Sequence, residues 1–153
     1  MSGPVLEVRD LRVRFDLEAG TTRPVDGVGF TIGRGETVGI VGESGAGKSM
    51  TAMSILGLLP APGAPEAGSS IRYTSAAGEE TELVGARPDR LRRIRGDRIA
   101  MIFQEPMSSL NPVQRVGAQI DEALRLHLGM RGAAARARSV ELLREVGIPR
   151  PEE

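Results

Sequence analysis

Cysteine and tryptophan are absent from this chain, and only three phenylalanines and one tyrosine occur among its 153 residues. The lack of cysteine excludes disulfides and thiolate metal sites and is typical of a reducing compartment. The 20 basic residues balance 20 acidic ones, which argues against a protein whose main task is to hold nucleic acid. No apolar run approaches membrane-spanning length and no signal-peptide pattern is evident, so we expect a soluble, intracellular protein with one main core.

Lysine is also nearly absent, because Lys48 is the only lysine among the basic residues. It lies in a run that fits the phosphate-binding pattern of glycine, any four residues, glycine, lysine and serine or threonine. The run consists of Gly42, Glu43, Ser44, Gly45, Ala46, Gly47, Lys48 and Ser49. An apolar segment, 37–41, precedes it and predicts a buried parallel strand, and an apolar repeat predicts a helix over 48–59.

This strand, loop and helix predict a nucleoside triphosphate site. Glycines at 42, 45 and 47 let backbone N–H groups turn inward around phosphate oxygens, and the helix N-terminus adds further N–H groups. Lys48 is expected to reach the β- and γ-phosphates, where the planar fork of an arginine would not replace a compact ammonium. Ser49 is expected to ligate Mg²⁺, and Met50 to contribute to the nucleotide site in the first helical turn. The alternative is a glycine-rich turn that happens to carry a lysine.

Further elements are predicted on both sides of the loop. Alternation of apolar and polar residues predicts antiparallel strands over 5–15 and 28–32, joined by a hairpin loop over 16–23. The proline-rich stretch 60–68 is expected to be a surface loop, and short strands are expected at 71–73 and 81–84. A short helix over 88–95 is expected to expose its arginines, 98–103 to form a second buried strand, and helices to follow from 116 and 133, with Gly147 ending the last.

The segment from Phe103 to Pro112 closely resembles its counterpart in the ATP-binding cassette (ABC) ATPases of oligopeptide, dipeptide and nickel importers. The order of an antiparallel sheet before the phosphate loop resembles the same family. This resemblance implies an α/β fold: a P-loop NTPase core with a preceding antiparallel β subdomain and the start of an α-helical subdomain, together an incomplete cassette. The parts would be 1–36, 37–105 and 106–153.

The resemblance also implies roles for residues outside the loop. Phe15 matches the aromatic that stacks on adenine, with Val25 beside the ribose; packing of Phe15 into the core is the alternative. Gln104 follows a predicted strand, where ligands of parallel sheets bind, and in the family this glutamine contacts Mg²⁺ or the attacking water. Lys48 and Gln104 are thus the expected catalytic residues, and ATP and Mg²⁺ the expected cofactors. His127, the only histidine, is expected to be structural.

Several family features have no counterpart in these residues: the signature loop, the apolar strand that ends in an Asp–Glu pair, and the switch histidine. Glu105 could be proposed as a general base, but neutral Gln104 precedes it where a Mg²⁺-binding carboxylate would be expected. We therefore expect the N-terminal part of an importer ATPase that pairs with a second cassette on the cytoplasmic side of a membrane permease, without nucleic acid. The alternatives are a standalone ATP–Mg²⁺ binding module without turnover and, less in keeping with Gln104, a small kinase.

Overall fold

The computed structural model describes residues 3–104 and 110–152. The chain divides into two compact units, Met1–Ile99 and Ala100–Glu153. Composition alone favours one core, but each unit has its own set of packed residues. Within the described residues, no helix is both long and apolar enough to cross a membrane.

The first unit is built on a long antiparallel hairpin. Strand β1, Leu6–Leu17, pairs with β2, Gly20–Ile32, from Leu6↔Ile32 to Leu17↔Gly20. The predicted hairpin loop over 16–23 is therefore too long, because backbone pairing continues to the two-residue turn at 18–19. The strands themselves are confirmed.

Three short strands complete this sheet. Strand β3, Ala64–Pro65, and strand β4, Ser70–Thr74, both pair with the free edge of β1, and β5, Glu80–Glu82, pairs with β4. The main strand order is β2-β1-β4-β5, with β3 off this path. The proline-rich stretch is thus more than a surface loop, because part of it is bonded to β1.

Two helices cover the sheet. Helix α1, Lys48–Leu56, is shorter than predicted because Gly57 adopts a left-handed conformation (φ 61°) and directs its N–H back to the helix carbonyls. Helix α2 spans Pro88–Ile94. The buried apolar core of this unit comprises Leu6, Val8, Leu11, Val13, Val25, Ile71, Tyr73, Leu83 and Ile94.

The two predicted buried strands, 37–41 and 98–103, are wrong for this structure. Val41 is 96% exposed and Ile102 is 93% exposed, and neither segment joins the sheet that the described residues form. A strand needs a neighbour to pair its backbone groups. The one pairing near them is a single parallel bridge between Arg95 and Ile99. Apolar runs alone therefore did not determine strand formation.

The second unit contains two helices. Helix α3, Val116–Leu128, and helix α4, Gly132–Glu145, bury Leu124, Ala135 and Ser139. Within α3, Leu124 is 6% exposed, while Val116 at the start of the helix is 44% exposed. Gly147 follows α4 with φ 78°, as predicted for its C-terminal end.

Candidate phosphate-binding site

The glycine-rich run forms a tight loop that leads directly into α1. Gly45 and Gly47 have φ angles of 83° and 82°, in the left-handed region that favours glycine. Gly42 differs from the prediction, because its φ lies outside that region. Its restriction is space: a Cβ at Gly42 would lie 3.2 Å from the Cβ of Ala46. Gly47 serves as the N-cap, and α1 begins at Lys48.

The first turn of α1 is open to an anion. The N–H groups of Lys48, Ser49 and Met50 precede the first intrahelical bond, which Thr51 N–H donates to the carbonyl of Gly47 at 2.8 Å. No side chain of the described residues caps this end, and its first turn carries no acidic residue. Such an uncapped N-terminus combines free donors with the positive end of the helix dipole.

The Lys48 ammonium folds back over the loop. Its Nζ donates to the carbonyls of Gly42 and Glu43, both at 2.7 Å. These neutral acceptors hold the cation against the loop backbone, and an ammonium has a third donor. A phosphate group would offer a charged acceptor in their place, and charge-assisted bonds are stronger than bonds to neutral carbonyls. Ser49 is exposed at the adjacent position.

The loop rests on strand β2. A Cβ built on Gly47 would lie 2.0 Å from the carbonyl oxygen of Pro24 and 3.2 Å from Cγ2 of Val25. Only glycine fits there, because the collision is with backbone rather than with a flexible side chain. Val25, 3% exposed, is thus in the core directly under the loop, and its contact with a ribose stays a prediction.

Phe15 is half-buried near this end of the hairpin. It pairs with Thr22, which precedes Pro24 by two residues or about 7 Å of strand. Its ring packs against the core cluster and against Gly63. The structure thus places Phe15 in the same unit as the loop, with part of the side chain accessible. Both the stacking role and the core role stay open on this geometry.

The remaining predicted residues lie in the second unit or outside the described chain. Gln104 is exposed and belongs to the second unit, so its role at the site stays a prediction. Glu105 lies outside the described residues. His127 lies in α3, partly buried. Among residues 3–104 and 110–152, no group of three or more His, Cys, Asp or Glu side chains could hold a metal ion.

Sequence reasoning missed one residue that supports the loop helix. Arg95 was predicted to point into solvent, but its Nε and Nη2 donate to the carbonyls of Leu56 and Gly57, each at 2.7 Å. A cation at a helix C-terminus is favourable both for the dipole and for the unpaired carbonyls. A basic residue directly after the end of α2 gives no signal of this contact, which depends on tertiary packing.

Comparison with known proteins places this geometry in context. The chain is 48% identical over 97% of its length to a peptide import ATP-binding protein of Brucella abortus, covering 43% of that protein. It is 44% identical over 97% of its length to the oligopeptide transport ATP-binding protein AppD of Bacillus subtilis, covering 44%. The chain therefore spans less than half the length of these relatives.

A solved structure supports the fold independently. A dimeric bacterial ABC transporter cassette matches with a TM-score of 0.69 at 23% identity, over 91% of this chain and 56% of that one. The model of the ABC transporter family matches residues 25–152 of this chain. The matched residues run from strand β2 beneath the phosphate loop to the residues after α4. Since that match takes in the loop, α1 and both helices of the second unit, the chain belongs to the ABC transporter family.

Proposed function

We propose that this chain binds ATP together with Mg²⁺ at the loop 42–49 and the first turn of α1. The observation that carries the proposal is the Lys48 ammonium, which is bonded to the backbone of a loop that leads into an uncapped helix N-terminus. The packing of the loop also supports the proposal, because the close approach of Gly47 to the Pro24 carbonyl keeps the loop backbone close to β2.

Each part of the site has a distinct role in this proposal. The N–H groups of Gly45 and of residues 47–50 would bind phosphate oxygens, and Lys48 would neutralise the β- and γ-phosphates. The Ser49 hydroxyl would hold Mg²⁺, which when bound neutralises the phosphates further. Phe15 would stack on the base and Val25 would lie beside the ribose. Gln104 would have the role of the family's glutamine, which is contact with Mg²⁺ or with the attacking water.

The function of the whole protein is proposed from its relatives. Their names describe import of peptides and oligopeptides. We propose that this chain is part of an ATP-binding subunit in which ATP binding and hydrolysis drive peptide import. It would act with a second cassette and with permease subunits, at the cytoplasmic face of the membrane.

Calorimetric titration of the purified chain with ATP and Mg²⁺ tests the phosphate site. Saturable binding of ATP–Mg²⁺ and of inorganic triphosphate–Mg²⁺, with no binding of adenosine, is the expected result, because phosphates make most of the proposed contacts. Binding of adenosine alone, or of no nucleotide, would contradict the proposal.

A further inference from the structure

Gly63 lies directly against the ring of Phe15. An ideal Cβ at Gly63 would lie 2.4 Å from Cζ, 2.6 Å from Cε1 and 2.9 Å from Cε2 of that ring. Distances this short from one point to the outer ring atoms mean that the ring packs on the glycine backbone. A side chain of any size at 63 would force the ring or the backbone to move.

The backbone pairing of β3 explains this close approach. Val13 pairs with Pro65 and Arg14 with Ala64, so the antiparallel register continues to bring Phe15 opposite Gly63. Gly63 N–H also donates to the carbonyl of Pro60 at 2.8 Å, which closes a turn immediately before β3.

The segment that carries Gly63 is anchored to both strands of the hairpin. Glu66 N–H donates to the carbonyl of Arg12 at 2.8 Å, and the Glu66 carboxylate accepts from Arg23 Nε of β2 at 2.8 Å. Pro62 and Pro65 restrict φ within the same segment and lower its freedom in the unfolded chain. The surface behind the ring is thus held by backbone bonds to β1 and by one ion pair to β2.

We propose that Gly63 is a positioning residue for nucleobase recognition: the backbone of 60–65 supports the Phe15 ring so that its accessible part meets the base. This inference rests on the proposed function, and it assigns a role in ligand recognition to a stretch that the sequence predicts only as a surface loop. Phe15 itself would be the group that touches the ligand. The phosphate loop contacts β2 at Pro24, whereas Gly63 contacts Phe15 on β1. The proposal therefore gives Gly63 no direct part in phosphate binding.

Affinity for ATP relative to inorganic triphosphate, both with Mg²⁺, tests the proposal by calorimetry. Gly63→Ala should lower the affinity for ATP about tenfold, which is the scale of base–aromatic stacking, and leave the affinity for triphosphate unchanged. Gly3→Ala is the matched control, because a Cβ there meets open space and the residue is not left-handed. It should bind both ligands as the parent chain does.

The double variant Phe15→Ala/Gly63→Ala separates positioning from folding. Removal of the ring leaves room for the new Cβ, so the double variant should fold and match Phe15→Ala alone in its ratio of the two affinities. The proposal would be overturned if Gly63→Ala lowered the affinities for both ligands equally or changed neither. It would also be overturned if the double variant failed to fold or differed from Phe15→Ala in the ratio of the two affinities. A parent chain that binds neither ligand would instead contradict the proposed function itself.

Discussion

At the scale of single residues, Lys48 carries the clearest expectation. Its Nζ bonds to the loop carbonyls of Gly42 and Glu43 and would exchange them for phosphate oxygens. Lys48→Ala removes a charge-assisted contact worth about 2–3 kcal/mol, or about 30–150-fold in ATP affinity. Calorimetric titration with Mg²⁺ measures this loss.

A matched control removes a charge elsewhere in the same unit. Arg92 lies exposed on α2, so Arg92→Ala should leave ATP affinity unchanged. Lys48→Arg should fail to restore binding, because a guanidinium is too broad for the loop. Unchanged ATP affinity in Lys48→Ala would reject the phosphate-site assignment.

Phe15 allows a choice between its two interpretations. If the ring stacks on the base, Phe15→Ala should lower the affinity for ATP about tenfold. The affinity for inorganic triphosphate should hardly change, because only the nucleotide offers a base. Titration of both ligands provides the comparison, and thermal unfolding without ligand provides the control. A large drop in melting temperature with equal losses for both ligands would identify Phe15 as a core residue.

At the scale of elements, α1 is held at its C-terminal end by a residue from outside the helix. Arg95 donates two 2.7 Å bonds to the carbonyls of Leu56 and Gly57. A hydrogen bond that involves a charged group contributes about 1.5–3 kcal/mol to stability, and these two bonds share one side chain. Arg95→Ala should therefore lower the free energy of unfolding by about 1–3 kcal/mol in urea denaturation.

Arg93 provides the comparison for that variant. It is exposed on α2, only two residues earlier. Arg93→Ala should change the free energy of unfolding by less than about 0.5 kcal/mol. Equal effects of the two substitutions would mean that general charge, rather than the capping of α1, determines stability.

The pair of helices in the second unit is joined by one buried polar contact. The Ser139 hydroxyl, 1% exposed as a residue, donates to Oδ1 of Asp121. Ser139→Ala leaves that carboxylate without its donor and should cost about 1–3 kcal/mol of unfolding free energy. The double variant Asp121→Ala/Ser139→Ala should be less destabilised than the sum of the single variants, as a thermodynamic cycle in urea would show. Simple additivity would contradict the importance of this bond.

At the scale of the whole molecule, binding and turnover are expected to separate. In the proposed site Lys48, Ser49 and Gln104 would position ATP. Among residues 3–104 and 110–152, however, no apolar strand ends in an Asp–Glu pair that could activate water. A phosphate-release assay on the chain should therefore stay near background while ATP binding persists. Robust turnover abolished by both Lys48→Ala and Glu105→Gln would make Glu105 the base and contradict this expectation.

The hairpin β1–β2, α1 and the helical pair are confirmed, because local periodicity and turn residues specify them directly. Strands at 37–41 and 98–103 are not, since a buried strand depends on partners that periodicity in one segment cannot supply. The ends of elements also moved, as at Gly57, where a left-handed glycine terminates α1 before the apolar repeat ends.

The sequence by itself determined that a glycine-rich loop over 42–49 leads into a helix, because the spacing of its glycines, lysine and serine acts locally on the backbone. Family membership likewise follows from residue order. Only the tertiary structure decided that Arg95 caps α1, that Gly47 needs to be glycine because it lies against Pro24, and that Gly63 lies against Phe15. The physical reason is the same in each case: these contacts join residues between about 20 and 50 positions apart, whose approach is set by strand register and helix packing.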